Sequence, residues 1–162
     1  MKINFLDRKP FQLVMGAVLL VSSLFVSCSK DDDEVTSDKT YTVTGNSTGA
    51  QMSPNTTSTA TGTLTGTYNA NTNVLSYTIN WTGLATAATL VQLYGGAASG
   101  TNGTLLFPLT ITTPGVAGSA TGSVTLTDAQ ETDLLASKTY YTISSNTFTS
   151  GEIRGQVTAS PQ

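Results

Sequence analysis

The chain has 162 residues, a formal net charge of −3, a single cysteine and no histidine. That length allows one domain beside an address segment, a lone cysteine excludes an internal disulfide, and a net-acidic chain is a poor partner for nucleic acid. Between Lys39 and Asp128 there is no Asp, Glu, Lys or Arg. Regularly spaced large apolar residues in that stretch argue for packed strands rather than disorder.

Lys2, Arg8 and Lys9 make a basic start, offset only by Asp7, and an uncharged apolar run from Phe11 to Val26 ends at Ser27-Cys28. This is the pattern of a secretory signal, too short for a comfortable membrane span. Leu24-Phe25-Val26-Ser27-Cys28 resembles the lipobox of bacterial lipoproteins, which implies removal of residues 1–27 and lipidation of Cys28. An acylated, thioether-linked terminus exceeds the two lipid signals that stable anchoring takes. The run Lys30-Asp31-Asp32-Asp33 reads as a solvated tether over residues 28–39. It also resembles the export signal of Bacteroidetes lipoproteins, which implies display on the outer face of the outer membrane. From Cys28 onward four basic residues face nine acidic ones, a net of −5.

Tyr41 to Thr44 alternates as a strand, and Gly45 to Asn55 reads as a loop around Ser53-Pro54. Gly62, Leu64, Gly66 and Tyr68 share one face of the next strand, with small residues where another backbone approaches. Asn69 to Asn73 is turn chemistry. Leu75, Tyr77, Ile79 and Trp81 then give the clearest period of two in the chain and are predicted to be core. A sugar-stacking role for Trp81 is the weaker reading.

Leu90 to Tyr94 is a short strand closed by Gly95-Gly96, and a loop runs on to Asn102-Gly103. Leu105, Phe107, Leu109 and Ile111 are predicted to share a face, with Pro108 marking an edge or a bulge. Ala117 to Leu126 is a further strand. Thr127 with Gln130 forms a capping box for a single short helix in which Leu134 and Leu135 pack and Asp128, Glu131 and Asp133 meet the positive end of the dipole. Tyr140 to Ile143 and Glu152 to Val157 close the domain as strands. The pattern predicts an all-β fold, an antiparallel Greek-key β-sandwich with one short helix, over residues 40–158, followed by a tail over 159–162.

Leu75-Ser76-Tyr77, Gly83-Leu84 and above all Gly151-Glu152-Ile153-Arg154-Gly155-Gln156-Val157 resemble the CHRD (chordin) domain. The resemblance implies an immunoglobulin-like or superoxide dismutase-like sandwich without an assigned activity. It also implies histidines on the strand that here reads Gln92-Leu93-Tyr94 and near Ser144; imidazoles at alternate strand positions could hold a transition metal, which these residues do not reproduce. Glu152 and Arg154 read as a structural ion pair at a sheet surface rather than as catalytic groups.

The expected function is a non-enzymatic envelope lipoprotein that presents its domain to an extracellular protein, matrix or glycan. Tyr94 and the Gly95 to Gly103 loop are the candidate contact. No cofactor and no catalytic or metal-binding residue is expected. The alternatives are a metal-dependent or redox enzyme of superoxide dismutase-like fold and a purely structural envelope module.

Overall fold

The computed structural model describes residues 39–162. The expected signal segment, Cys28 and the Lys30-Asp31-Asp32-Asp33 run lie outside the described residues. Among the described residues no helix is long and apolar enough to cross a membrane.

The described chain runs β1 (Thr40–Thr48), a 3-10 turn (Gly49–Gln51), β2 (Thr61–Asn69), β3 (Val74–Thr82), β4 (Ala88–Gly95), β5 (Thr104–Leu109), β6 (Ile111–Thr113), β7 (Gly118–Thr125), α1 (Asp128–Leu135), β8 (Tyr140–Ser145), β9 (Ile153–Gln156) and β10 (Thr158–Pro161). Every pairing is antiparallel. The ladder order is β5-β4-β8-β9-β1-β2-β3-β7-β6, with β10 also on β1. Because β5 packs against β7 across the gap, the sheet curls into a nearly closed barrel. The expected all-β fold with one short helix is therefore present.

The register of β3 explains the glycines around it. Trp81 lies between Gly62 and Gly118, Tyr77 between Gly66 and Gly122, and Ile79 between Leu64 and Ala120. The Trp81 ring takes the room a side chain at Gly118 would need, and the Tyr77 ring that of one at Gly122, which is how large and small residues alternate to fill a small barrel. Leu75, Tyr77, Ile79 and Trp81 are all buried, as their alternation requires. Trp81 donates its indole N–H to the Gly115 carbonyl and serves as core, not as a sugar platform.

Four local expectations need correction. β1 continues through Gly45 to Thr48, because strand partners on both sides, β2 and then β9 or β10, override the loop-like composition. Leu105 is exposed: a bulge sets Leu93 against Phe107 but Tyr94 against Leu105, and the extra residue turns Leu105 to the outer face. Leu134 is buried while Leu135 is exposed, since neighbours one position apart point to different sides of a helix. The last residues pair with β1 as β10 rather than forming a tail.

The helix begins as expected. Thr127 accepts from the Gln130 N–H and its own N–H donates to Gln130 Oε1 at 2.9 Å, with Asp128 and Glu131 in the first turn. Pro108 lies on β5, an end strand of the ladder, where its missing N–H costs no pairing on the open side.

Candidate functional site

The closing motif sits at the centre of the β8–β9–β1 region, and both of its charged side chains are fully buried, Glu152 at 0% and Arg154 at 1% exposure. They do not form the surface ion pair that their spacing suggested. Each instead draws on neutral partners from a different loop, because a charge taken out of water must find dipoles somewhere.

Glu152 Oε1 accepts from the Ser58 hydroxyl at 2.7 Å and from the Ala85 N–H at 2.8 Å. Its Oε2 accepts from the Ser145 hydroxyl at 2.5 Å. Three donors from three segments therefore converge on one carboxyl group. Its carbonyl accepts from Thr56 Oγ1 at 2.7 Å, so the chain before β2 is held twice by one residue.

Arg154 engages a different loop. Its Nη1 donates to the Thr101 carbonyl at 2.7 Å, and its Nη2 donates to the Ala98 carbonyl at 3.3 Å and to Gln156 Oε1 at 3.1 Å. Its Cζ lies 3.5 Å above the centre of the Tyr140 ring, a cation–π contact strengthened by burial. Desolvation lowers the Arg154 pKa, yet a guanidinium remains charged at any physiological pH. Gln156 adds donations from Nε2 to the Ala97 and Ser137 carbonyls at 3.0 and 2.7 Å. The loop after β4 is thereby laid over the outer face of the sheet.

The motif's glycines are fixed by close approach. A side chain at Gly155 would meet the Tyr141 ring at 2.6 Å, and Gly151 has a φ of 122° against Met52. A β-carbon at either position would have to displace its neighbour.

Covered in this way, β8 is buried on both faces. On its outer side Tyr140 stacks against Tyr94 of β4 with ring centres 5.0 Å apart. The guanidinium cannot share that face without collision, so Tyr140 is held between Arg154 and Tyr94, and Tyr94 is the outermost of the three. Its hydroxyl donates to Gln92 Oε1 at 3.1 Å, and burial raises its pKa. A second loop, carrying Met52 and Ser53, meets the first where Asn102 Nδ2 donates to the Ser53 carbonyl at 2.9 Å. Between the loops lies a cleft of about 200 Å³ lined by Tyr94, Tyr140, Thr142, Asn102 and Ser150 with Arg154 at its base.

The expected contact residue Tyr94 thus lies at the cleft. The Gly95 to Gly103 loop is one wall of it, with Ala97 buried and Ala98 to Asn102 exposed. Gln92 and Tyr94 of β4 face Thr142 and Tyr140, and Ser144 faces Leu90, so the three positions expected to carry histidine elsewhere lie on this one outer face. They offer amide and hydroxyl groups. Among the described residues no three of His, Cys, Asp and Glu come together.

Sequence reading missed Tyr140, Thr142, Asn102 and the Met52-Ser53 loop. The available signal was Tyr140-Tyr141-Thr142-Ile143-Ser144-Ser145, whose lack of any charge on either alternating face indicates cover on both sides.

These features define a small all-β domain whose closing motif ties surface loops onto its sheet. The chain matches the family model of the CHRD domain over residues 43–157 and belongs to that family. No curated protein and no solved structure matches it.

Proposed function

We propose that this protein is a non-enzymatic envelope lipoprotein that presents its CHRD domain to an extracellular protein, matrix or glycan, with the contact at Tyr94. The observation that carries the reading is the Arg154–Tyr140–Tyr94 stack, which puts an aromatic side chain at a cleft whose arginine is already engaged by internal hydrogen bonds. Loops held on a rigid sheet are where binding residues concentrate. Gln92, Tyr94 and Ser144 supply neutral oxygen donors, which suit hydrogen bonding better than transition-metal ligation. We read the crossings from β3 to β4 and from β7 through α1 to β8 as Greek-key connections of an immunoglobulin-like or superoxide dismutase-like sandwich.

The basic start, the apolar run and Cys28 support lipid anchoring, and the acidic run behind them supports surface display. Feeding labelled palmitate should label the wild type, and Cys28→Ala should release the protein from the membrane. An unlabelled yet membrane-bound wild type contradicts the anchor. Replacing the acids of the Lys30-Asp31-Asp32-Asp33 run by alanine should abolish protease access on intact cells; unchanged access contradicts the export signal.

The contact is tested by placing a photo-reactive residue at Tyr94 in the full chain on intact cells, with the exposed β3 position Ser76 as reference. A covalent adduct formed at Tyr94 and not at Ser76 is expected. Equal adducts at both positions, or none at either, would sink the binding role.

A further inference from the structure

The 200 Å³ cleft at Tyr94 does not stand alone. It shares Met52, Ser53 and Ser150 with a second cleft of about 470 Å³. That cleft shares Thr57, Thr147 and Phe148 with a third of about 340 Å³. The three clefts thus adjoin in series as a groove, with Tyr94 lining the first and Phe148 lining the second and the third.

Among the described residues only two charged side chains line this groove, Arg154 and Glu152. Both are buried, and both are engaged by the neutral partners already described. What the groove offers a ligand is therefore hydroxyls and amides, from Ser53, Asn55, Thr57, Asn102, Thr149 and Ser150, beside the apolar bodies of Met52, Pro54, Tyr94 and Phe148. A charged partner would have nothing to pair with, and association would lack the steering that charge provides. Adjoining clefts that carry aromatic rings among neutral hydrogen-bonding groups match an uncharged sugar chain, whose ring faces are apolar and whose edges carry hydroxyls.

Resting on the binding reading above and sharpening it, we propose that the groove from Tyr94 to Phe148 binds a neutral polysaccharide. Tyr94 and Phe148 supply the apolar contacts for sugar rings. The Ser, Thr and Asn side chains between them supply the hydrogen bonds.

The test is affinity electrophoresis of the full-length chain in detergent through gels containing a β-glucan, an α-glucan, a mannan or a xylan. Polygalacturonate and heparin serve as the charged comparators. At least one neutral polysaccharide should retard the protein, and retardation should persist at about 1 M salt, where screening has reduced the reach of charges to roughly 3 Å. Tyr94→Ala and Phe148→Ala should each weaken binding by roughly tenfold, the scale of one lost aromatic contact. Thr149→Trp, which fills the groove from an exposed position and leaves the packed rings untouched, should weaken it as well. Leu135→Ala, on α1 and away from the groove, should not.

No retardation by any neutral polysaccharide overturns the proposal. So does retardation only by the charged polymers that vanishes with salt, or binding that all three groove variants leave unchanged. If the gels show nothing while the photo-reactive group at Tyr94 still captures a cell-surface protein, the sugar assignment falls and the binding module stands. Failure of both removes both.

Discussion

The β2–β3–β7 side of the barrel and the β4–β8–β9 side are held together by different physics. On the first, the inner face carries Leu75, Tyr77, Ile79 and Trp81 while Ser76 and Asn80 on the outer face meet solvent. Burial of apolar surface on one side does all the work there. On the second, Tyr140, Thr142 and Ser144 on the outer face are buried too, and what buries them is loop backbone held by Arg154, Gln156 and Glu152. A sheet face covered by loops must satisfy the polar groups of those loops, and two buried charges supply the donors and acceptors. The Tyr94 cleft lies on the side built in this way.

Removing the carboxyl group should have the largest effect. Glu152→Ala leaves two hydroxyls and one backbone N–H without an acceptor, and at 1–3 kcal/mol for each abandoned group the loss is about 3–9 kcal/mol. A denaturant midpoint near that of the wild type would erase the distinction between the two sides. On the apolar side, Leu75→Ala and Ile79→Ala should each cost roughly 2–5 kcal/mol. Losses near zero at both would overturn the register of β3.

Alkali offers a third probe. Burial pushes the Tyr141 pKa up to about 12 from 10.0, so the folded state disfavours the phenolate. A group raised in this way leaves stability intact below the unfolded pKa near 10 and withdraws it as pH rises to 12, in total about 2–3 kcal/mol for a shift of that size. Denaturant midpoints should therefore be flat up to pH 10 and then fall. A decline complete by pH 9 would place the sensitive group elsewhere.

Arg154→Met keeps the aliphatic stem and removes the donors. The carbonyls of Ala98 and Thr101 belong to an exposed stretch and can regain water, so the cost should be about 2 kcal/mol. Tyr94→Ala, which removes only the outermost ring of the stack, should change stability least, by about 0.5–1.5 kcal/mol.

The same contrast governs how much of the molecule is legible in its sequence. β3 can be read because one face is wet and the other dry, so alternation in the chain mirrors alternation in space. The capping box at Thr127 and the Asn69 turn, where Oδ1 accepts from the N–H groups of Asn71 and Thr72, are local chemistry and are equally legible. The sequence predicts a surface pair at Glu152 and Arg154 because alternating ions on a strand usually face water. Their burial depends on loops 50 to 100 residues away in the chain, which no local pattern encodes. Leu105 escaped for a related reason, since a bulge reverses the parity on which alternation depends.

The central claim is that the motif's arginine holds the wall of the cleft, and amide hydrogen exchange of Arg154→Met against the wild type tests it most directly. The N–H groups of Ala97, Thr101 and Gly103, which donate to Lys138, Ala98 and the Tyr140 hydroxyl, should exchange faster in the variant while those of β2 and β3 keep their protection. Unchanged exchange in that loop, or an even rise across the whole barrel, would contradict the account.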